Sequence, residues 1–200
     1  MSLMNKIIEK DSTLYIGSCD VNISIVADCK VFIYQYVVDK DVSISIQLNH
    51  SGAFVEYHYS HINYTDHVVR FSVLHNALST VSTFYNHGVN VYNKKLEFLV
   101  EGTIFKDMNH SICNQENQII NIRDGKSKIC PNLFIDCYDT VSSHSAYIGE
   151  FAKEKLFYLE SRGFTRQAAY HLLLCGFLIS NKIRDDFPDG KIFLEEISKI

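Results

Sequence analysis

Tryptophan is absent from this 200-residue sequence, proline occurs only twice and glycine nine times. With so little proline, backbone amides are free to run in continuous ladders. Hairpin signals are equally scarce. Between Leu14 and His144 the only Asn-Gly or Asp-Gly pair is Asp124-Gly125, where a meander or sandwich of antiparallel strands would need several. No apolar run approaches the roughly 18 to 20 residues of a membrane helix, and Met1 to Lys10 holds no apolar signal core. The chain is therefore expected to be cytoplasmic, with no membrane partner.

Other absences exclude whole chemistries. None of the six cysteines forms a Cys-x-x-Cys pair, so neither a zinc knuckle nor a thioredoxin-like site is written here. Without a secretory signal their even number does not imply disulfides, and most read as small buried hydrophobes. A cupin-like metal enzyme needs a His-x-His pair, which does not occur. A carbohydrate-cleaving β-helix enzyme would present paired carboxylates in a groove, but the acidic residues here are scattered. No Gly-x-x-x-x-Gly-Lys-Ser/Thr loop is present, so P-loop nucleotide hydrolysis must come from a partner. The net charge of -4 is spread along the chain without a basic block, which argues against nucleic acid.

What the sequence does contain is alternation. Val42, Ile44, Ile46 and Leu48 alternate with Ser43, Ser45 and Gln47, and the same rule holds at Val55-Glu56-Tyr57, Val69-Arg70-Phe71 and Leu96-Glu97-Phe98. These half-buried strands recur every dozen or so residues from Leu14 to about His144. With hairpin turns missing, they are expected to stack as a mainly β, parallel solenoid in which each turn covers its neighbour. At 46% hydrophobic, the length suits one core plus an appendage.

After Gly149 the period becomes helical. Ala152, Leu156 and Leu159 share a face, and Gly163 stands where a C-terminal cap requires a left-handed residue. A second helix is expected from an N-cap at Thr165, with Ala168, Ala169, Leu172, Leu173, Gly176 and Phe177 on its apolar stripe. A third follows the Phe187-Pro188-Asp189-Gly190 turn, over Lys191 to Ile200. The division expected is a β-helix core at 1–146 and a helical region at 147–200.

The stretch from Pro131 to Phe177 carries a family pattern. It reads Pro131-Asn132-Leu133-Phe134-Ile135, then Asp139-Thr140-Val141-Ser142-Ser143-His144-Ser145-Ala146-Tyr147-Ile148-Gly149. Next come Leu156-Phe157-Tyr158-Leu159-Glu160-Ser161-Arg162-Gly163 and, finally, Gly176-Phe177. This closely resembles the C-terminal signature of SufB/SufD proteins, the scaffolds of iron–sulfur cluster assembly. Upstream, Asn114-Gln115-Glu116-Asn117-Gln118 resembles the family's Gln-x-Asn-rich strand.

The resemblance implies a right-handed parallel β-helix with a C-terminal helical subdomain, acting as a non-catalytic scaffold in a SUF-type assembly complex. It implies a SufC-like ABC ATPase as partner, docked on the helices, and a SufB-like subunit or a second copy paired through the β-helix. Longer family members carry an N-terminal helical region without a counterpart in this sequence. Glu116 falls where SufB carries its cluster cysteine, and His144 matches the SufD interface histidine, so the chain resembles SufD more than SufB. A transient iron–sulfur cluster or iron is the implied cargo, with His144 and Glu116 as candidate ligands and Tyr158, Arg162 and Phe177 as candidate docking anchors. Imidazole and carboxylate suit iron, and turns stacked at about 4.8 Å allow residues distant in sequence to meet.

Cys113, three residues before Glu116, is expected on the opposite face of its strand, and Cys137 in the core. His58 and His61 face opposite ways on a strand and so cannot chelate one ion. Two other readings stay open: a structural paralogue that keeps the dock and lacks a cluster site, and a β-helix or cupin-like metal- or carbohydrate-active enzyme.

Overall fold

The computed structural model describes residues 3–179 and 186–200. Its strands are β1 (Leu3–Ile8), β2 (Ser12–Ile16), β3 (Asp20–Ile25), β4 (Lys30–Val38), β5 (Val42–Leu48) and β6 (Phe54–Asn63). They continue as β7 (His67–His75), β8 (Val81–Val91), β9 (Lys95–Ile104), β10 (Ile112–Ile122), β11 (Lys126–Ile135) and β12 (Val141–Gly149). The odd strands form one six-stranded sheet and the even strands another, both in sequence order. Neighbours pair in parallel, as in β6 with β8 and β7 with β9, which makes the chain a two-sided β-solenoid. Stacking begins at Leu3, before the alternation first becomes clear at Leu14. In β1 only Ile8 is buried, so the strand shows no two-residue pattern to read.

Between the sheets lies a core of Val and Ile rungs with larger rings inserted, among them Tyr57, Phe84 and Phe98. Tyr57 stacks on Phe84 at 5.3 Å and donates its hydroxyl to Gln35 Oε1 at 2.7 Å. Gln35 Nε2 in turn donates to the carbonyls of Gly17 and Cys19. Buried amides form ladders along the stack, Asn63 donating to Asn90 and Asn86 to Asn117. Each pairing spares a buried polar group the roughly 1–3 kcal/mol that an unsatisfied one costs.

The corners replace hairpin chemistry with two devices. Residues that tolerate the left-handed region bend the chain, including Asp39 (φ 46°), His110 (φ 61°) and Asp124 (φ 56°). Aspartates then tie one turn to the next by accepting strand-entry amides: Asp11 from Lys30, Asp20 from Ser43, Asp41 from Val68 and Asp66 from Lys95. Asp39 accepts from both Tyr64 and Thr65, and these bonds hold its carboxyl below the usual range despite the opposing effect of burial.

Three helices follow: α1 (Lys153–Ser161), α2 (Arg166–Leu178) and α3 (Pro188–Lys199). At the end of α1, Gly163 has φ +92°, its N–H bonds the carbonyl of Glu160 and that of Phe164 bonds Leu159, a Schellman cap as the sequence leads one to expect. Thr165 caps α2 by accepting from Ala168 N–H. Two details differ from expectation. The buried residues of α2 are Ala169, Leu174 and Leu178, while Ala168 and Leu172 are exposed, so the stripe is rotated toward the sheet. Helix α3 starts at Pro188, because proline is well suited to the first helical position, and the predicted turn becomes its first turn.

The helices cover part of the outer face of the even-strand sheet. Leu174, Leu178, Phe193 and Ile197 form a second core there with Tyr36, Ile62, Val89 and Ile120. Two sheet side chains hold the C-terminal carbonyls of α2: Ser60 Oγ donates to Leu178 O at 2.5 Å and His87 Nδ1 to Phe177 O at 2.8 Å. These carbonyls lack partners within the helix, so the sheet caps it.

Candidate functional site

Register decides which candidate residues can meet. Gln115 of β10 pairs with His144 of β12, and Glu116 with Ser145. In β10 the odd-numbered positions from Cys113 to Ile119 are buried and the even positions lie on the outer face. Glu116 therefore points outward, whereas His144 shares the inward parity of Gln115. Among the described residues β12 is the outermost strand of its sheet, and His144 is exposed at that end of the solenoid. Within one chain the two residues do not converge. Among the described residues, no group of three or more His, Cys, Asp or Glu side chains is placed to hold a metal ion.

The remaining expectations near the site hold. Cys113 is fully buried on the face opposite Glu116, and burial pushes its thiol up. Cys137 packs against the core, with Sγ at 2.8 Å from Asn109 Oδ1. His58 and His61 do face opposite ways: His58 stacks between Tyr34 and Tyr85 on the outer face, while His61 is buried beside Tyr59.

The outer face around Glu116 holds groups that the linear sequence does not bring together. Tyr15, Tyr34, His58, Tyr85, Glu116 and Ser145 occupy successive positions of one register row. Their first four rings stack at 5.3, 5.0 and 4.8 Å. Glu56 Oε1 is 2.7 Å from His58 Nε2. Two residues along from this row, His87 lies with Nε2 3.8 Å from Glu116 Oε1 and its ring stacked on Phe177 at 4.6 Å. Gln118 Nε2 donates to Glu116 Oε1 at 2.6 Å. Beside this row a groove of about 430 Å³ opens between β10, β12 and the start of the helices, lined among others by Gln118, Ser145, Lys155 and Phe177.

The three docking candidates occupy different settings. Tyr158 is 57% exposed, and the Arg162 guanidinium lies 5.2 Å from its ring centroid. Next to them Tyr158, Leu159, Leu172 and Leu173 line an apolar groove of about 370 Å³ between α1 and α2. Phe177 turns instead toward the sheet, packed on His87 and edge-on to Phe151.

His87 is the residue that sequence reasoning missed. It sits in the alternating run of β8 with no motif around it, and only the pairing of β8 with β10 reveals Glu116 as its neighbour.

Comparison with curated protein sequences gives no match. Comparison with protein families does: the family described as SUF system FeS cluster assembly, SufBD core domain, matches residues 38–177, from the end of β4 to the penultimate residue of α2. The parallel solenoid, the helices seated on its outer face and this match over more than half the sequence agree, and the chain belongs to the SufBD core domain family.

Proposed function

We propose that the chain is a SufD-like scaffold subunit of a SUF-type iron–sulfur assembly complex, driven by a SufC-like ABC ATPase that docks on α1 and α2. One observation carries this reading: the family match takes in both the late turns of the solenoid and the helices beside them. The apolar groove between α1 and α2, flanked by exposed Tyr158 and Arg162, supports the docking role, since aromatic and arginine side chains are the usual anchors of an interface. Phe177 serves the dock from beneath, by seating α2 on His87.

Pairing with a SufB-like subunit or a second copy uses the open end of the solenoid. Among the described residues β11 and β12 are the outermost strands of their sheets, and Phe134, Val141 and Ile148 are exposed. Such an edge is a template for another chain. His144 at the mouth then meets the partner's ligands, including a partner cysteine, and holds cargo across the interface.

The docking claim is tested by co-purification with a SufC-type ATPase. Tyr158→Asp with Arg162→Glu, both on exposed surface, is expected to abolish capture while leaving the fold intact by circular dichroism. Undiminished capture by the folded double variant overturns it.

A further inference from the structure

The outer-face pair His87 and Glu116 has the features of an open metal site. His87 Nδ1 lies 2.8 Å from the Phe177 carbonyl, which can only accept, so Nδ1 carries the ring proton and Nε2 presents a lone pair. A backbone carbonyl holding the far nitrogen is the arrangement that orients metal-binding histidines. Nε2 is buried without a hydrogen-bond partner, and the Glu116 carboxylate faces it at 3.8 Å. Divalent first-row ions bind imidazole nitrogen and carboxylate oxygen at about 2.0–2.2 Å, which sets two ligands of one ion about 3–3.5 Å apart. A small rotation of the Glu116 side chain, 42% exposed, closes the difference. Elsewhere on this face the pattern is not repeated, for His58 Nε2 is already taken by Glu56 at 2.7 Å.

We infer that His87 and Glu116 together bind a divalent iron-group cation on the outer face of the even-strand sheet. The Gln118 side-chain amide, which contacts the same carboxylate, is a third donor once its oxygen faces the ion. The remaining positions stay open to water, sulfide or a partner's ligand, as suits a metal held for transfer. The groove lined by Gln118 and Phe177 lies beside the pair, and the Glu116 side chain is 42% exposed. The site differs from the His144 and Glu116 pairing expected from the sequence, and it ties the ion to α2 through the Phe177 carbonyl. As an iron-loading site for cluster assembly it rests on the proposed function; as a cation site it stands on geometry alone.

The test is anaerobic titration of the metal-free full chain with Fe(II), and in parallel with Co(II), whose absorption bands report the donor set. One ion per chain with a nitrogen donor is expected, weakened roughly tenfold or more in His87→Ala and in Glu116→Gln. Should His87→Ala loosen α2, the Glu116→Gln variant, at a half-buried outward-facing position, still decides. Absence of a bound ion in the native chain, or unchanged affinity in Glu116→Gln, overturns the inference. If the native chain captures the ATPase yet binds no ion, the site falls and the scaffold reading stands; ion binding without ATPase capture supports the site and removes the docking claim.

Discussion

Gln115 and His144 are register partners on β10 and β12, so Glu116, one residue on, lies on the opposite side of the sheet from His144. A single chain thus cannot close one ion between Glu116 and His144, and the two belong to separate surfaces: the helix-flanked outer face and the open end. This separation makes a direct prediction. His144→Ala should lower cluster content only when a second subunit is present, and Glu116→Gln should lower iron loading of the chain alone. Anaerobic iron analysis of each variant, with and without a SufB-like partner, checks it.

Self-association is expected through the β11 and β12 end. Sedimentation of the native chain at tens of micromolar should give a dimer, and lysines at Val141 and Ile148, both exposed, should give a monomer. A native monomer at high concentration would place the pairing surface elsewhere.

Stability should fall as the solution is acidified below neutrality. Burial holds the His61 imidazole down to about 3 and that of His75 to about 4, whereas in the unfolded chain both titrate near 6.5. The unfolded state therefore binds more protons below about pH 6.5, and stability is lost from there down toward those folded-state values. The slope from each group approaches about 1.4 kcal/mol per pH unit. Urea titrations between pH 7.5 and 5 should show this loss, and His75→Gln, which removes a base held between Thr80 and Ser82, should flatten it. An unchanged slope in His75→Gln would mean that His75 does not report the acid sensitivity.

Two backbone and core positions give sharper numbers. Tyr57→Phe leaves Gln35 Oε1 without its donor in the core and should cost about 1–3 kcal/mol in a urea midpoint measurement. Gly163→Ala, at φ +92°, should cost about 1 kcal/mol or more and fray the end of α1 that carries Tyr158 and Arg162.

Much of this fold is legible in the sequence. Alternation at Val42 to Leu48 marks a strand because a half-buried sheet imposes period two, and Thr165 and Gly163 mark helix ends because their backbone groups need those partners. The site is less legible because its geometry depends on the number of residues per turn. That number is 27 from His58 to Tyr85, 31 from Tyr85 to Glu116 and 29 from Gln115 to His144. One residue more or less in a corner moves every side chain of the next strand to the other face. Sequence spacing therefore could not show that Glu116 and His144 diverge, nor that His87 stands beside Glu116. The buried face of α2 is hard to read from sequence for a related reason: it depends on the sheet beneath it, through Ser60 and His87.

The most direct test of the scaffold account is anaerobic reconstitution with iron and sulfide of a SufC-type ATPase and a SufB-like subunit, with and without this chain. The account predicts that cluster content and transfer to an apo acceptor rise when the chain is added, and that Tyr158→Asp with Arg162→Glu removes the gain. Equal cluster content and transfer without the chain would contradict it.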